Sequence, residues 1–246
     1  MSTPPEAQFH HPADAPVMAP DRPRRPGWTE LGVAAVTFVI VLAITAVILG
    51  AIPKSAATVS GLVAFALSAA AGLAPFYAAM LARIRKVAAF GVRKVAGKWL
   101  GIGAAVGLGC FVLSMGVSLA YRVITGDTTN VQGGYQSAAT GGIVTLLGAL
   151  LLGAVATPIG EEFLWRGVVT NALSRYGAWV SVLVSAAAFA VAHGVNVVMP
   201  VAFIIGVANA LLLRKTGSLW PGVFAHGVNN ALSSLVPAVI ALAGHA

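Results

Sequence analysis

The chain has 246 residues, of which 58% are hydrophobic and only 9% charged, with a mean hydropathy of +0.89. Soluble domains carry roughly 25% charged residues, so this composition excludes an ordinary soluble domain and points to an all-α, polytopic transmembrane helical bundle. The net charge of +8 does not argue for nucleic acid as a partner. The Lys and Arg residues stand between apolar runs, where the cytoplasmic loops of membrane proteins collect them.

Residues 1–28 are rich in Pro and polar side chains and contain no apolar run, which predicts a disordered cytoplasmic tail. Within it, the pair His10–His11 reads as solvated rather than metal-binding. The first apolar run shows no small-residue cleavage site and reads as an uncleaved span. A helix needs about 20 apolar residues to cross the hydrocarbon core. On that measure about seven spans are expected: Leu31–Ile52, Val59–Ala82, Trp99–Tyr121, a run from Gly141 through Thr157 and beyond, Ala178–His193, Val197–Leu213 and Leu219–Ala243. Glycines 101, 103, 107, 109 and 116 suit close helix packing in the third span. Cys110, the single cysteine, reads as a small core residue. Trp28, Trp99, Trp179 and Trp220 stand near span ends and read as interfacial anchors; Trp165 fits no such role. The chain divides into the tail (1–28), N-terminal transmembrane helices (29–140) and a core (141–246).

Gly141 to Arg175 is about 35 residues, or ~52 Å as one helix. That exceeds a hydrocarbon core of ~30 Å. Either the helix projects into water or it breaks near Thr157-Pro158-Ile159-Gly160, where proline removes a hydrogen bond.

Basic residues alternate from loop to loop. Arg22, Arg24 and Arg25 precede the first span, and Lys54 alone follows it. Six Lys and Arg residues lie between Arg83 and Lys98, after the second span, and Arg122 alone follows the third. Arg175, Arg214 and Lys215 follow later helices. The positive-inside rule puts the N-terminus in the cytoplasm and the C-terminus outside the cell membrane.

Ionisable residues inside spans are costly and usually mark function. Here they are Glu161, Glu162, Arg166, His193 and His226, with Asn196, Asn209, Asn229 and Asn230 as neutral companions. Measured from the turn at Tyr176-Gly177, Glu161 and His193 each lie about 16 residues away, so antiparallel helices bring them to one depth, ~24 Å along each. His226 lies ~15 Å of helix beyond the turn at Thr216-Gly217. One polar site buried between the last four spans is expected. Glu162 and Arg166 are four apart and face each other. Glu161 is rotated by about 100° and is the carboxylate free to act as a base. His226 and Asn230, also four apart, can both donate to a developing oxyanion. Asn229 points elsewhere, and Asn196 and Asn209 read as helix–helix hydrogen bonders.

The order EEFLWR (161–166), FAVAH (189–193) and HGVNN (226–230) resembles the EExxxR, FxxxH and HxxxN motifs of the CAAX-processing and bacteriocin-processing family of intramembrane glutamic endopeptidases, which includes the type II CAAX prenyl proteases. The match runs from about 141 to 243. The resemblance implies hydrolysis of a peptide bond within the membrane without a metal or other cofactor. It assigns Glu161 and His193 to water activation, His226 and Asn230 to the oxyanion, and Glu162 and Arg166 to support. The expected partners are the lipid bilayer and a peptide or membrane-associated protein substrate, lipidated or not. Three other readings stay open: a zinc protease with the metal at Glu161, His193 and His226, a non-catalytic membrane scaffold or chaperone, and a proton-coupled transporter.

Overall fold

The computed structural model describes residues 25–244, so residues 1–24 of the tail, with His10–His11, Arg22 and Arg24, lie outside the described residues. The described residues form an all-α bundle without strands. Its helices are α1 (Trp28–Ala51), α2 (Lys54–Ala82, opening with a 3₁₀ turn), α3 (Gly97–Thr125), α4 (Gly133–Thr140), α5 (Ile143–Tyr176), α6 (Ala178–Ala192), α7 (Val198–Thr216) and α8 (Trp220–Ala243). Six of these are long and apolar enough to cross a membrane, and the protein is a multi-pass membrane protein. The fifth of the seven expected spans, α6, has only 15 residues, or about 22 Å.

The helix ends sort into two groups. At one end, Leu219 N–H donates to the Gly91 carbonyl (2.9 Å) and Ser218 Oγ to that of Arg93 (2.7 Å). There too, Trp28 Nε1 donates to the Tyr176 hydroxyl (2.9 Å) and Asn171 to the Phe90 carbonyl (3.3 Å). This end therefore gathers the start of α1, the α2–α3 loop, the end of α5 and the α7–α8 turn, and carries Arg83–Lys98, Arg175, Arg214 and Lys215. The opposite end is built from the start of α2, the end of α3 and α4, and its basic residues are Lys54 and Arg122. α1 is clamped to α2 at the basic end: Arg83 donates to both carboxylate oxygens of Glu30 (2.8 Å each), and Gly27 N–H donates to the same group (2.8 Å). Glu30 is fully buried, and these three donors offset the desolvation of its charge.

Small residues set two close helix approaches around the site. A Cβ on Gly72 of α2 would collide with the Gly160 backbone of α5, and one on Gly160 with the Ala69 carbonyl. Likewise, a Cβ on Gly103 or Gly107 of α3 would collide with the carbonyl of Pro221 or Ala225 of α8. Of the five glycines expected to pack closely, only these two do; Gly101, Gly109 and Gly116 have nothing within 4 Å of a built Cβ.

The long helix neither projects as a regular α-helix nor breaks. α5 runs unbroken over 34 residues, with π-helical stretches at Leu150–Ala156 and Phe163–Thr170 on either side of the Pro158 turn. The wider winding absorbs the missing proline N–H without ending the helix. Trp165 finds its place in the core, 9% exposed, edge-on to Phe38 of α1 (5.6 Å between centroids) and tilted against Phe189 of α6 (5.7 Å). Cys110 is buried, as expected of a small core residue.

Candidate active site

Adjacent glutamates on α5 face different surroundings because consecutive helical residues are rotated by about 100°. Glu161 lines a cavity of about 600 Å³, with its side chain 12% exposed. Its Oε1 accepts a hydrogen bond from Ser68 of α2 (2.7 Å), and its Oε2 lies 3.7 Å from His226 Nε2. Glu162 turns away from the cavity and is fully buried. Its Oε2 lies 3.1 Å from Arg166 Nε, the i,i+4 contact that the spacing predicts. Its Oε1 takes Asn209 Nδ2 (2.9 Å) and His226 Nδ1 (3.0 Å).

Glu162 thereby orients the His226 ring. A carboxylate oxygen accepts here, so Nδ1 carries the proton and Nε2 is the nitrogen directed at Glu161. A similar argument fixes His193, which ends α6. Its Nδ1 lies 2.9 Å from the Phe189 carbonyl, and a carbonyl can only accept. In the neutral ring Nε2 is therefore the free acceptor. Phe189 meets both rings edge-on, His193 at 4.7 Å and His226 at 5.9 Å, and the Arg166 guanidinium stands over its face at 4.5 Å. One aromatic side chain thus spaces both imidazoles and partly compensates a buried cation.

Asn230 lies one turn beyond His226 and also lines the cavity. Its Nδ2 donates to the Gly153 carbonyl of α5 (3.0 Å), and its Oδ1 accepts from Asn229 (3.2 Å). Asn229 is buried and lines the cavity as well, so it does not point elsewhere as its helical angle from His226 suggests. Glu161, His193, His226 and Asn230 share this one cavity, while Glu162 and Arg166 stand behind it. Among the described residues, no group of three or more His, Cys, Asp or Glu side chains is disposed to hold a metal ion.

The remaining wall comes from outside the last four helices. Phe65 and Ser68 of α2, Phe111, Ser114 and Met115 of α3, and Tyr135 of α4 all line the cavity. Burial, with a smaller contribution from the Glu161 charge, raises the Tyr135 phenol above its ordinary pKa, so it stays a neutral donor. Ser68 and Asn209 escaped the sequence reading as site residues. A lone serine in an apolar helix carries no periodic signal, and Asn209 differs in nothing local from the structural asparagines. Asn196 does not bridge two helices as expected but closes the α6–α7 turn locally, donating to the His193 carbonyl (2.8 Å) and accepting from Val198 N–H (2.8 Å).

Residues 143–232 match the family model described as Rce1-like, type II CAAX prenyl endopeptidase Rce1-like. The matched segment contains all three motifs, in agreement with the family that they resemble. No curated protein and no solved structure matches the chain.

Proposed function

We propose that this CAAX prenyl endopeptidase-like membrane protein hydrolyses a peptide bond with water activated by Glu161 and His193. The observation that carries the reading is the convergence of Glu161, His193, His226 and Asn230 on a single cavity, with a buried Glu162–Arg166 pair holding His226 from behind.

The chemistry follows from the hydrogen-bond roles. Water in the cavity gives a proton to the Glu161 carboxylate as its oxygen attacks the scissile carbonyl carbon. The free Nε2 of His193 accepts the second hydrogen bond of that water and aligns it. Negative charge then collects on the former carbonyl oxygen. His226, held through Nδ1 by Glu162, turns Nε2 toward that oxyanion, and an Nε2–H there donates to it. Asn230 donates the amide hydrogen that Gly153 does not take. Glu161 returns its proton to the leaving amine, the carbon–nitrogen bond breaks, and a carboxylic acid and an amine remain. Ser68 keeps the Glu161 carboxylate aimed into the cavity throughout.

The basic end of the bundle is cytoplasmic in this reading. That assignment gives a cytoplasmic N-terminus and an external C-terminus, since short cytoplasmic loops retain Lys and Arg.

The test compares peptides recovered from membranes holding the wild type with those from membranes holding Glu161→Gln at equal abundance. A product found only with the wild type, and undiminished by a chelator, supports the reading. A product lost on chelation favours zinc at Glu161, His193 and His226. Identical peptides together with equal rescue of a cellular phenotype would make the protein a scaffold.

A further inference from the structure

One wall of the cavity is organised along α2. A Cβ on Gly61 would collide with the Gly134 carbonyl, so α2 and α4 touch through their backbones there. That contact seats Tyr135 of α4 on Phe65 of α2, with ring centroids 4.4 Å apart and planes tilted by 48°. The Phe65 carbonyl accepts from Thr157 (3.0 Å), which stands one turn before Glu161 on α5. Three residues after Phe65, Ser68 donates to Glu161 itself (2.7 Å). The partners of Tyr135 and Glu161 on α2 are therefore only ~4.5 Å apart along that helix.

The hydroxyl groups around this wall are mostly committed. Besides Thr157 and Ser68, Ser114 donates to the Cys110 carbonyl (2.7 Å) and Ser233 to that of Asn229 (2.8 Å). Tyr135 lines the same cavity, and among the described residues its hydroxyl has no protein acceptor. A serine without a partner can turn back to the carbonyl four residues earlier in its helix. A phenol at the end of a fixed ring cannot. Tyr135 belongs to none of the three motifs and precedes the segment 143–232 that matches the family model.

We infer that Tyr135 is a substrate-binding residue, its phenol donating to the backbone carbonyl next to the scissile bond. The inference rests on the protease reading given above. In that reading the scissile oxygen turns to His226 and Asn230 on α8. Consecutive carbonyls of an extended chain point to opposite sides, and each residue advances the chain by ~3.3 Å. The neighbouring carbonyl therefore turns away from the oxyanion donors and needs a donor of its own, within about one residue of Glu161. Tyr135 supplies one at that spacing. The bond forms when the peptide binds and is kept as the carbonyl carbon is attacked, so it strengthens binding without favouring the transition state.

The test uses Tyr135→Phe in the full chain, which keeps the ring on Phe65 and removes only the hydroxyl. The probe is a fluorescent peptide spanning the cleavage site found by comparing the wild type with Glu161→Gln. Its cleavage gives KM and kcat, and its binding to the Glu161→Gln protein, with and without Tyr135→Phe, gives Kd in the absence of hydrolysis. Loss of one neutral hydrogen bond should raise KM and Kd together by about three- to tenfold. The value of kcat should stay within about twofold, as for an interaction made equally in ground and transition states. The unfolding midpoint should not move. Unchanged KM and Kd overturn the inference. A lower kcat and a lower midpoint at unchanged Kd make Tyr135 a packing residue and overturn it as well. A wild type that yields no product removes the protease reading itself and this inference with it, whereas a cleaving wild type matched in KM and Kd by Tyr135→Phe removes the inference alone.

Discussion

Asn230 Nδ2 donates to the Gly153 carbonyl at 3.0 Å, tying the candidate oxyanion donor on α8 to the backbone of α5. That carbonyl is free for a reason that lies in α5 itself. Thr157 N–H bonds to Leu152, five residues back, and the next residue, Pro158, has no N–H to give. The π-register and the proline together leave Gly153 without a helical donor, and a buried carbonyl must find one elsewhere.

Replacing Pro158 with Ala returns an N–H that competes for Gly153. The expected outcome is a folded protein with kcat lowered by about ten- to a hundredfold, the scale of a misplaced reacting group. Steady-state kinetics on a cleavable peptide, beside a thermal unfolding curve, checks it. Asn230→Ala removes the donor outright and should cost about 10²–10³ in kcat.

Ser68 and Glu161 offer a graded pair of substitutions. Glu161→Gln should abolish cleavage, since general-base catalysis is worth about 10²–10⁴. Ser68→Ala leaves the base in place without its 2.7 Å donor. A hydrogen bond to a charged group is worth about 1.5–3 kcal/mol, so kcat should fall by about one to two orders of magnitude. Equal losses in both variants would mean that Ser68 does more than orient Glu161.

Arg166 stands between a carboxylate and an aromatic face, 1% exposed. Removing it with Arg166→Met strands the buried Glu162 charge, and breaking such a pair costs about 3–5 kcal/mol. The double change Glu162→Gln with Arg166→Met should recover most of that stability but not the activity, because His226 loses its charged partner. Unfolding midpoints in detergent give the first result and peptide cleavage the second.

The Gly72–Gly160 contact brings Ser68 within reach of Glu161 by letting two backbones touch. Gly72→Ala forces a methyl group into the Gly160 carbonyl, and overpacking costs about 1–3 kcal/mol. Activity should drop along with stability. Gly101→Ala, with nothing within 4 Å, should alter neither.

Local spacing and composition alone set out much of this protein. The apolar runs are long enough to be spans, the basic residues mark one end, and i,i+4 relations predict the Glu162–Arg166 contact. These are properties of the chain over one or two helical turns, so they can be read without a fold. Tertiary structure decided which groups meet across helices. Ser68 reaches Glu161 from 93 residues away and Asn209 reaches Glu162 from 47, distances over which no sequence periodicity survives. The path of α5 was likewise undecided between projection and a break. Its outcome depends on whether neighbours can satisfy the carbonyls that Pro158 releases. Asn230 supplies that donor, and only packing α8 against α5 brings it there.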